Sequence, residues 1–170
     1  MTFPVELGDS PAHSLAVTGV ESLEQEYTED IFVGYRYFDT YGVAPNFAFG
    51  HGLSYTSFDY NDLQLEKKDD LVVVSVEVSN TGEIAGAEVV QLYVKDDESA
   101  LKRPEKELKA FVKVKLEPGE SQRVQMTLDR GAFSYYHDEL KQWIMETGMY
   151  TIMVGSSSRD IRLEQTFEKE

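Results

Sequence analysis

The sequence predicts an all-β fold: two antiparallel sheets packed face to face as a β-sandwich, preceded by an extended, largely irregular N-terminal segment. Three observations carry this. Apolar and polar residues alternate with period two over several strand-length stretches, turn signals rich in Gly, Pro, Asn and Asp divide those stretches, and no stretch sustains a helical period. The clearest case runs from Val72 to Val94, VVVSVEVSNTGEIAGAEVVQLYV. Val72, Val74, Val76 and Val78 share one parity while Ser75, Glu77 and Ser79 take the other, the pattern of a sheet with one dry face. Val90, Leu92 and Val94 repeat it. Between the two, Asn80 and Gly82 suit a turn that pairs the strands, because Asn bonds locally to backbone and Gly accepts positive φ without steric cost.

Taken in order, residues 1 to about 26 contain Pro4, Gly8, Pro11 and Gly19 without periodicity and read as an extended tail. From Tyr27 to Phe58 the composition shifts to rings, among them Phe32, Tyr35, Tyr37, Phe38, Tyr41, Phe47, Phe49 and Tyr55. Gly34, Gly42, Gly50 and Gly52 are expected to break any regular element there. A stretch this apolar should be ordered only when packed against a neighbouring surface. Strands are expected near 58–66, 71–79, 88–95, 107–116, 121–128, 133–137, 142–145, 148–154 and 160–167. The dividing signals include Asp69-Asp70, Asn80 to Gly86, Glu117-Pro118-Gly119-Glu120, Asp138 to Lys141 and Gly155 to Ser158. About seven strands in roughly 100 residues is the immunoglobulin or fibronectin type III architecture. Residues 1–57 are thus expected to form a connecting segment and 58–170 the sandwich.

The chain has 170 residues, 41% of them hydrophobic and 12% aromatic, enough for one core. Its 31 Asp and Glu against 16 Lys and Arg give a formal charge of -15, which repels phosphate backbones and anionic membrane surfaces. Nucleic acid and membrane are therefore not expected as partners. Zero cysteines exclude disulfides, thiolate chemistry and Cys-based zinc sites, and fit a reducing, cytoplasmic setting. The longest apolar stretches are strand length, and MTFPVELGDSPAH has neither the basic start nor the apolar core of an export signal.

Several long motifs are familiar together and in this order: IFVGYRYFDTYGVAP (Ile31 to Pro45), FAFGHGLSYTSF (Phe47 to Phe58), VSNTGEIAGAEVVQLYV (Val78 to Val94), RPEKELKAFVKVKLEPGES (Arg103 to Ser121) and YTIMVGSSSRDIRL (Tyr150 to Leu163). They resemble the C-terminal part of glycoside hydrolase family 3 β-glucosidases, across essentially the whole chain. The resemblance implies a fibronectin type III-like domain with the segment that ties it to a catalytic body. It also implies that the aspartate nucleophile and the acid/base of a retaining glycosidase, which must stand about 5 Å apart, belong to preceding domains that nothing here resembles. The expected role is a noncatalytic accessory domain, with no catalytic, cofactor or metal residues of its own. Its expected partners are the catalytic domains, met through a docking surface of Tyr35, Arg36, Tyr37, Phe38, Phe47, Phe49 and His51. Without those domains, self-association through that surface is a second outcome.

The remaining candidates have bland readings. Asp69-Asp70, Asp96-Asp97-Glu98 and Asp138-Glu139 sit at turns and read as solvated carboxylates; the second lacks the spaced ligands of a calcium loop. His13, His51 and His137 are scattered without metal-site spacing. In GHGLSYT, Thr56 stands where a nucleophile turn around Ser54 would need its second glycine. Trp143 is expected to pack in the core or its rim. Carbohydrate contact through Tyr136 and Trp143, in an autonomous carbohydrate-binding module, is the alternative. On Glu107 to Leu116, Lys109, Phe111, Lys113 and Lys115 share one face, as on an edge strand protected by lysines; a contact surface centred on Phe111 is the functional reading.

Overall fold

The computed structural model describes residues 1–12 and 29–169, so His13 and Tyr27, and most of the expected tail, lie outside the described residues. In chain order the elements are β1 (Phe3–Pro4), α1 (Tyr35–Thr40), β2 (Pro45–Phe47), β3 (Phe58–Lys68), β4 (Leu71–Asn80), β5 (Gly86–Asp96), β6 (Glu107–Leu116), β7 (Ser121–Leu128), β8 (Ser134–His137), β9 (Gln142–Met145), β10 (Gly148–Ser157) and β11 (Asp160–Lys169). A three-stranded sheet, β3-β4-β7, packs on a four-stranded sheet, β11-β10-β5-β6, and every pairing within them is antiparallel. This is the seven-stranded fibronectin type III arrangement, with the β8–β9 hairpin inserted before β10.

The valine pattern works as the periodicity requires. Val72, Val74, Val76 and Val78 on β4 face Val90, Leu92 and Val94 on β5, all buried in one core cluster. These two strands do not pair with each other, contrary to the hairpin expected between them: β4 lies between β3 and β7, whereas β5 lies between β10 and β6. Alternation specifies a dry face and leaves the partner open. The crossover is held by Asn80, which is fully buried. Its amide donates to the carbonyls of Ile84 (2.8 Å) and Leu116 (3.1 Å), and its side-chain oxygen accepts from Thr56 Oγ1 (2.6 Å) and the Gly82 N–H (3.1 Å). One side chain thus ties both sheets and the incoming segment together.

Phe133, Tyr150 and Phe167 close one end of the core with ring centroids 5.2–6.3 Å apart. The Tyr150 hydroxyl donates back to the Glu146 carbonyl at 2.9 Å, the arrangement of a tyrosine corner. Burial there pushes its pKa up to about 12.

The segment before Phe58 is more regular than its glycines suggested. Gly34 (φ +56°) and Gly42 (φ +68°) bracket α1 rather than interrupt it. Six residues cannot hold a helix alone; this one is held from outside, by Arg159 in the β10–β11 turn. Arg159 Nη2 donates to the Phe38 (2.8 Å) and Val43 (2.9 Å) carbonyls, and its Nε pairs with Asp39. Asp39 also meets Lys106 at 2.9 Å.

Candidate docking face and cleft

The outer face of β5 explains how the connecting segment sits. Gln91 and Tyr93 have the parity that points away from the sandwich core, yet both are buried, Tyr93 completely. The segment covers them as a third layer. Tyr35 sets its ring edge-on to Tyr93 (5.9 Å) and against Phe49 (4.9 Å), while its hydroxyl accepts the Leu108 N–H at 2.8 Å. The Ser158 N–H donates to the Phe49 carbonyl at 2.9 Å. Gly50 (φ +82°) passes so close to Gln91 that a Cβ would stand 2.3 Å from its Nε2. Glycine is required there both for the backbone conformation and for the close approach.

This divides the seven expected docking residues. Phe38, 2% exposed, is buried within the chain, and half-buried Tyr35 packs on Tyr93 and on half-buried Phe49, so these three help anchor the segment. Burying the apolar outer face of β5 is the gain that turns them inward. Arg36 reaches Glu107 Oε1 at 3.0 Å and remains one-third exposed. Tyr37 is half-buried beside Tyr41 (5.0 Å), and Phe47 and His51 face outward with ring centroids 5.6 Å apart.

Near Phe47 and His51 in the segment are residues outside the expected docking set. Phe3 pairs edge-on with Phe47 (6.3 Å) across β1 and β2, and Leu53 and Tyr55 are 94% and 98% exposed. A leucine and a tyrosine held fully in water within two residues of each other form an apolar projection. Both lie in GHGLSYT, on either side of the Ser54 hydroxyl. That hydroxyl accepts the Thr56 N–H at 3.2 Å, a local turn bond.

A second feature lies at the other edge of α1. A cleft of about 510 Å³ opens between Ile31, Arg36, the loop at Leu101–Arg103, β6 and the β8–β9 hairpin. Glu107 is its electrostatic centre, meeting Arg36 (3.0 Å), Arg103 (2.8 Å) and Lys109 (3.4 Å). Burial pushes the Glu107 carboxyl up, but Lys109, Arg103 and Arg36 together hold it below the ordinary glutamate value. Burial, with repulsion from Arg103 and Arg36, lowers the Lys109 ammonium despite Glu107. Trp143 stands on the rim, 67% exposed, with Tyr136 edge-on at 5.7 Å. The expectation that Trp143 packs in the core or its rim is thus corrected: β9 belongs to a two-stranded hairpin outside both sheets, and while Met145 at its far end packs against the core, Trp143 stays in water.

Of the carboxylates read as solvated, the Asp96-Asp97-Glu98 set is structural, while Asp69, Asp70 and Asp138 are exposed. Asp96 pairs with Arg103 (3.1 Å), Asp97 accepts from Thr151 Oγ1 (2.6 Å), and Glu98 accepts the Met149 N–H (3.3 Å). Among the described residues no three His, Cys, Asp or Glu side chains group as metal ligands, and no helix is long and apolar enough to cross a membrane. β6 is an edge strand, with Lys113, Lys115 and Phe111 exposed on its outer face.

Comparison with known proteins joins this architecture to a family. Residues 88–158 match the family described as fibronectin type III-like domain. Residues 88–158 thus carry a fibronectin type III-like domain, and relatives of the chain are β-glucosidases. It is 52% identical over 169 residues to thermostable β-glucosidase B of Acetivibrio thermocellus, covering 97% of this chain and 22% of the relative. To β-glucosidase BoGH3A of Bacteroides ovatus it is 44% identical, covering 98% of this chain and 23% of that protein. Among solved structures, the β-glucosidase of Kluyveromyces marxianus superposes with a TM-score of 0.94 at 43% identity, over all of this chain and 20% of that one. The GH3 β-glucosidase of Bifidobacterium adolescentis gives 0.93 at 38% identity, over 99% and 25%. The fibronectin type III-like chain therefore spans roughly a fifth to a quarter of the proteins it matches.

Proposed function

We propose that this chain is a noncatalytic accessory module of a β-glucosidase-like family 3 glycoside hydrolase, and that it stabilises the enzyme by docking onto its catalytic domains. Residues 1–57 are the connector and the sandwich from Phe58 onward is the rigid body. The parent hydrolyses O-glycosyl bonds in carbohydrate metabolism, and its catalytic carboxylates lie elsewhere in the longer protein. The observation that carries the docking reading is the apolar projection at Leu53 and Tyr55, 94% and 98% exposed, continuous in sequence with outward-facing Phe47 and His51. Rings and aliphatic groups held in water on an ordered segment are what a partner surface would cover. The anchors Tyr35, Phe38 and Phe49 give that segment a fixed shape to present, which lowers the ordering cost of association.

Leu53→Ala and Tyr55→Ala in the longer protein test this. Each is expected to lower its melting temperature while leaving the melt of the 170-residue chain unchanged. Equal loss in both, or no loss in the longer protein, would refute docking through this face. The chain by itself is expected to hydrolyse no aryl β-glucoside.

A further inference from the structure

A cavity of about 450 Å³ opens beside Leu53, between the connector at Gly52 to Ser54, β5 at Ala87 to Val89, and Asp160 at the β10–β11 turn. The sheet is incomplete there: β6 pairs with β5 from Gly86 onward, whereas β10 pairs with it only from Gln91 to Asp96. One edge of β5 from Gly86 to Val90 therefore has no strand beside it, and the Val89 N–H donates to the Glu88 carboxylate at 2.8 Å. Glu88 shares the parity of Val90 and Leu92 and extends their inward row, half-buried and without an ion pair among the described residues. Burial pushes its carboxyl up. The charged groups of the lining are three carboxylates, Asp59, Glu88 and Asp160, against one guanidinium, Arg162. Arg162 is committed to Asp160, donating through Nη2 at 2.8 Å, and lies 5.8 Å over the Tyr60 ring. Lys113 and Lys115 stand opposite Val89 and Ala87 on β6, exposed and without an ion pair to Glu88. The Tyr60 hydroxyl, on a side chain 6% exposed, has no hydrogen-bond partner, and the charges that act on it are those of Glu88, Arg162 and Asp160. It faces the same wall.

We propose that this cavity is the socket for a cationic side chain, an arginine of the catalytic domains, which enters past Leu53 and pairs with Glu88. The inference rests on the docking reading and adds its polar half: the projection at Leu53 and Tyr55 supplies apolar area, and the socket fixes orientation. A guanidinium suits the wall because it offers several N–H donors in one plane, and Glu88 Oε1 alone is engaged by backbone. The aliphatic stem of the arginine would lie along Leu53. A neutral side chain or a sugar would leave the half-buried carboxylate without compensating charge, the costly case. A metal ion is no better matched, since among the described residues no three His, Cys, Asp or Glu side chains group as ligands. In the chain alone Glu88 is a desolvated, unpaired charge; with the cation in place it becomes half of an ion pair. Removing its charge must therefore act with opposite signs in the two settings.

Glu88→Gln keeps the shape and the acceptor for the Val89 N–H and removes only the charge, so the test compares its melts in the 170-residue chain and in the longer protein at pH 7. In the chain the variant is expected to melt at the parent's temperature or up to about 2 °C above it, because a desolvated charge has gone. In the longer protein it is expected to melt about 2 °C or more below its parent, and Glu88→Lys further below, because each leaves the incoming guanidinium unpaired. Asp59→Asn, at the rim, should act in the same direction by less, and carries the test if Glu88→Gln does not fold. Equal loss in both proteins, no loss in the longer one, or Glu88→Lys tolerated there as well as Glu88→Gln would overturn the proposal. So would calorimetric binding of methyl β-D-glucoside to the 170-residue chain that Glu88→Gln abolishes, an outcome that makes the cavity a sugar site. Leu53→Ala keeps the two readings apart. A longer protein weakened by Leu53→Ala and not by Glu88→Gln removes the socket and leaves docking; one weakened by neither removes both.

Discussion

Replacing Tyr35 decides whether the connecting segment is part of this chain's own stability. In the structure the Tyr35 hydroxyl satisfies the Leu108 N–H at 2.8 Å, and its ring contacts Tyr93 and Phe49. Tyr35→Phe removes the hydrogen bond alone, at a cost of about 0.5–1.5 kcal/mol. Tyr35→Ala also removes two aromatic contacts, each worth about 0.5–1.5 kcal/mol beyond area burial, and uncovers part of Tyr93. For a half-buried ring the total is about 2–4 kcal/mol. In a domain of this size 1 kcal/mol moves the melting temperature by about 2–4 °C. The Phe variant should therefore melt about 1–6 °C lower and the Ala variant about 4–16 °C lower, by calorimetry or far-UV circular dichroism on the 170-residue chain. A double-mutant cycle with Phe49→Ala should be non-additive, because both substitutions remove the same contact. An Ala variant melting within about 1 °C of the parent chain would refute the anchoring argument and return Tyr35 to an external docking role.

Two further substitutions probe the joints of the fold. Asn80→Asp replaces an amide that donates to two carbonyls with a buried carboxylate that cannot; chemical denaturation at pH 7 should show a loss of about 3 kcal/mol or more. Glu107→Gln leaves Arg36, Arg103 and Lys109 around a neutral amide, and about 3 kcal/mol should be lost at pH 7. Because the folded-state pKa of Glu107 is depressed, its contribution is fully present above the ordinary value of 4.5 and lost as pH falls through the folded value. The gap between parent and variant should therefore narrow as pH falls below 4.5; a gap that stayed constant through that fall would show that Glu107 acts through packing alone.

The strands were legible because alternation is a local property. Each valine of β4 lies on one side of the pleat whatever its neighbours do, and the turn residues mark where each strand stops. Asn80 was legible in kind, as a residue that bonds backbone with its side chain. That those bonds reach Leu116 as well as nearby Ile84, and so carry the chain from one sheet to the other, required the folded neighbours. The docking set was legible as a class and mixed in detail. Aromatic and glycine-rich composition announced a segment that must pack, without saying which rings face the sandwich and which face away.

By itself the sequence determined the all-β class, the order and approximate limits of the strands, the core valines, and the family likeness carried by its long motifs. Only the tertiary structure decided that β4 and β5 lie in opposite sheets. Only it decided that Tyr93 and Gln91 need a cover from Tyr35, Phe49 and Gly50, and that Trp143 stands in water beside a cluster of cations. The physical reason is range. Parity and turn chemistry act between residues a few positions apart, whereas sheet partnership, the covering of an outer face and the convergence of Arg36, Arg103 and Lys109 on Glu107 join positions tens of residues apart. Such meetings are set by the free energy of burial and charge pairing in the folded whole.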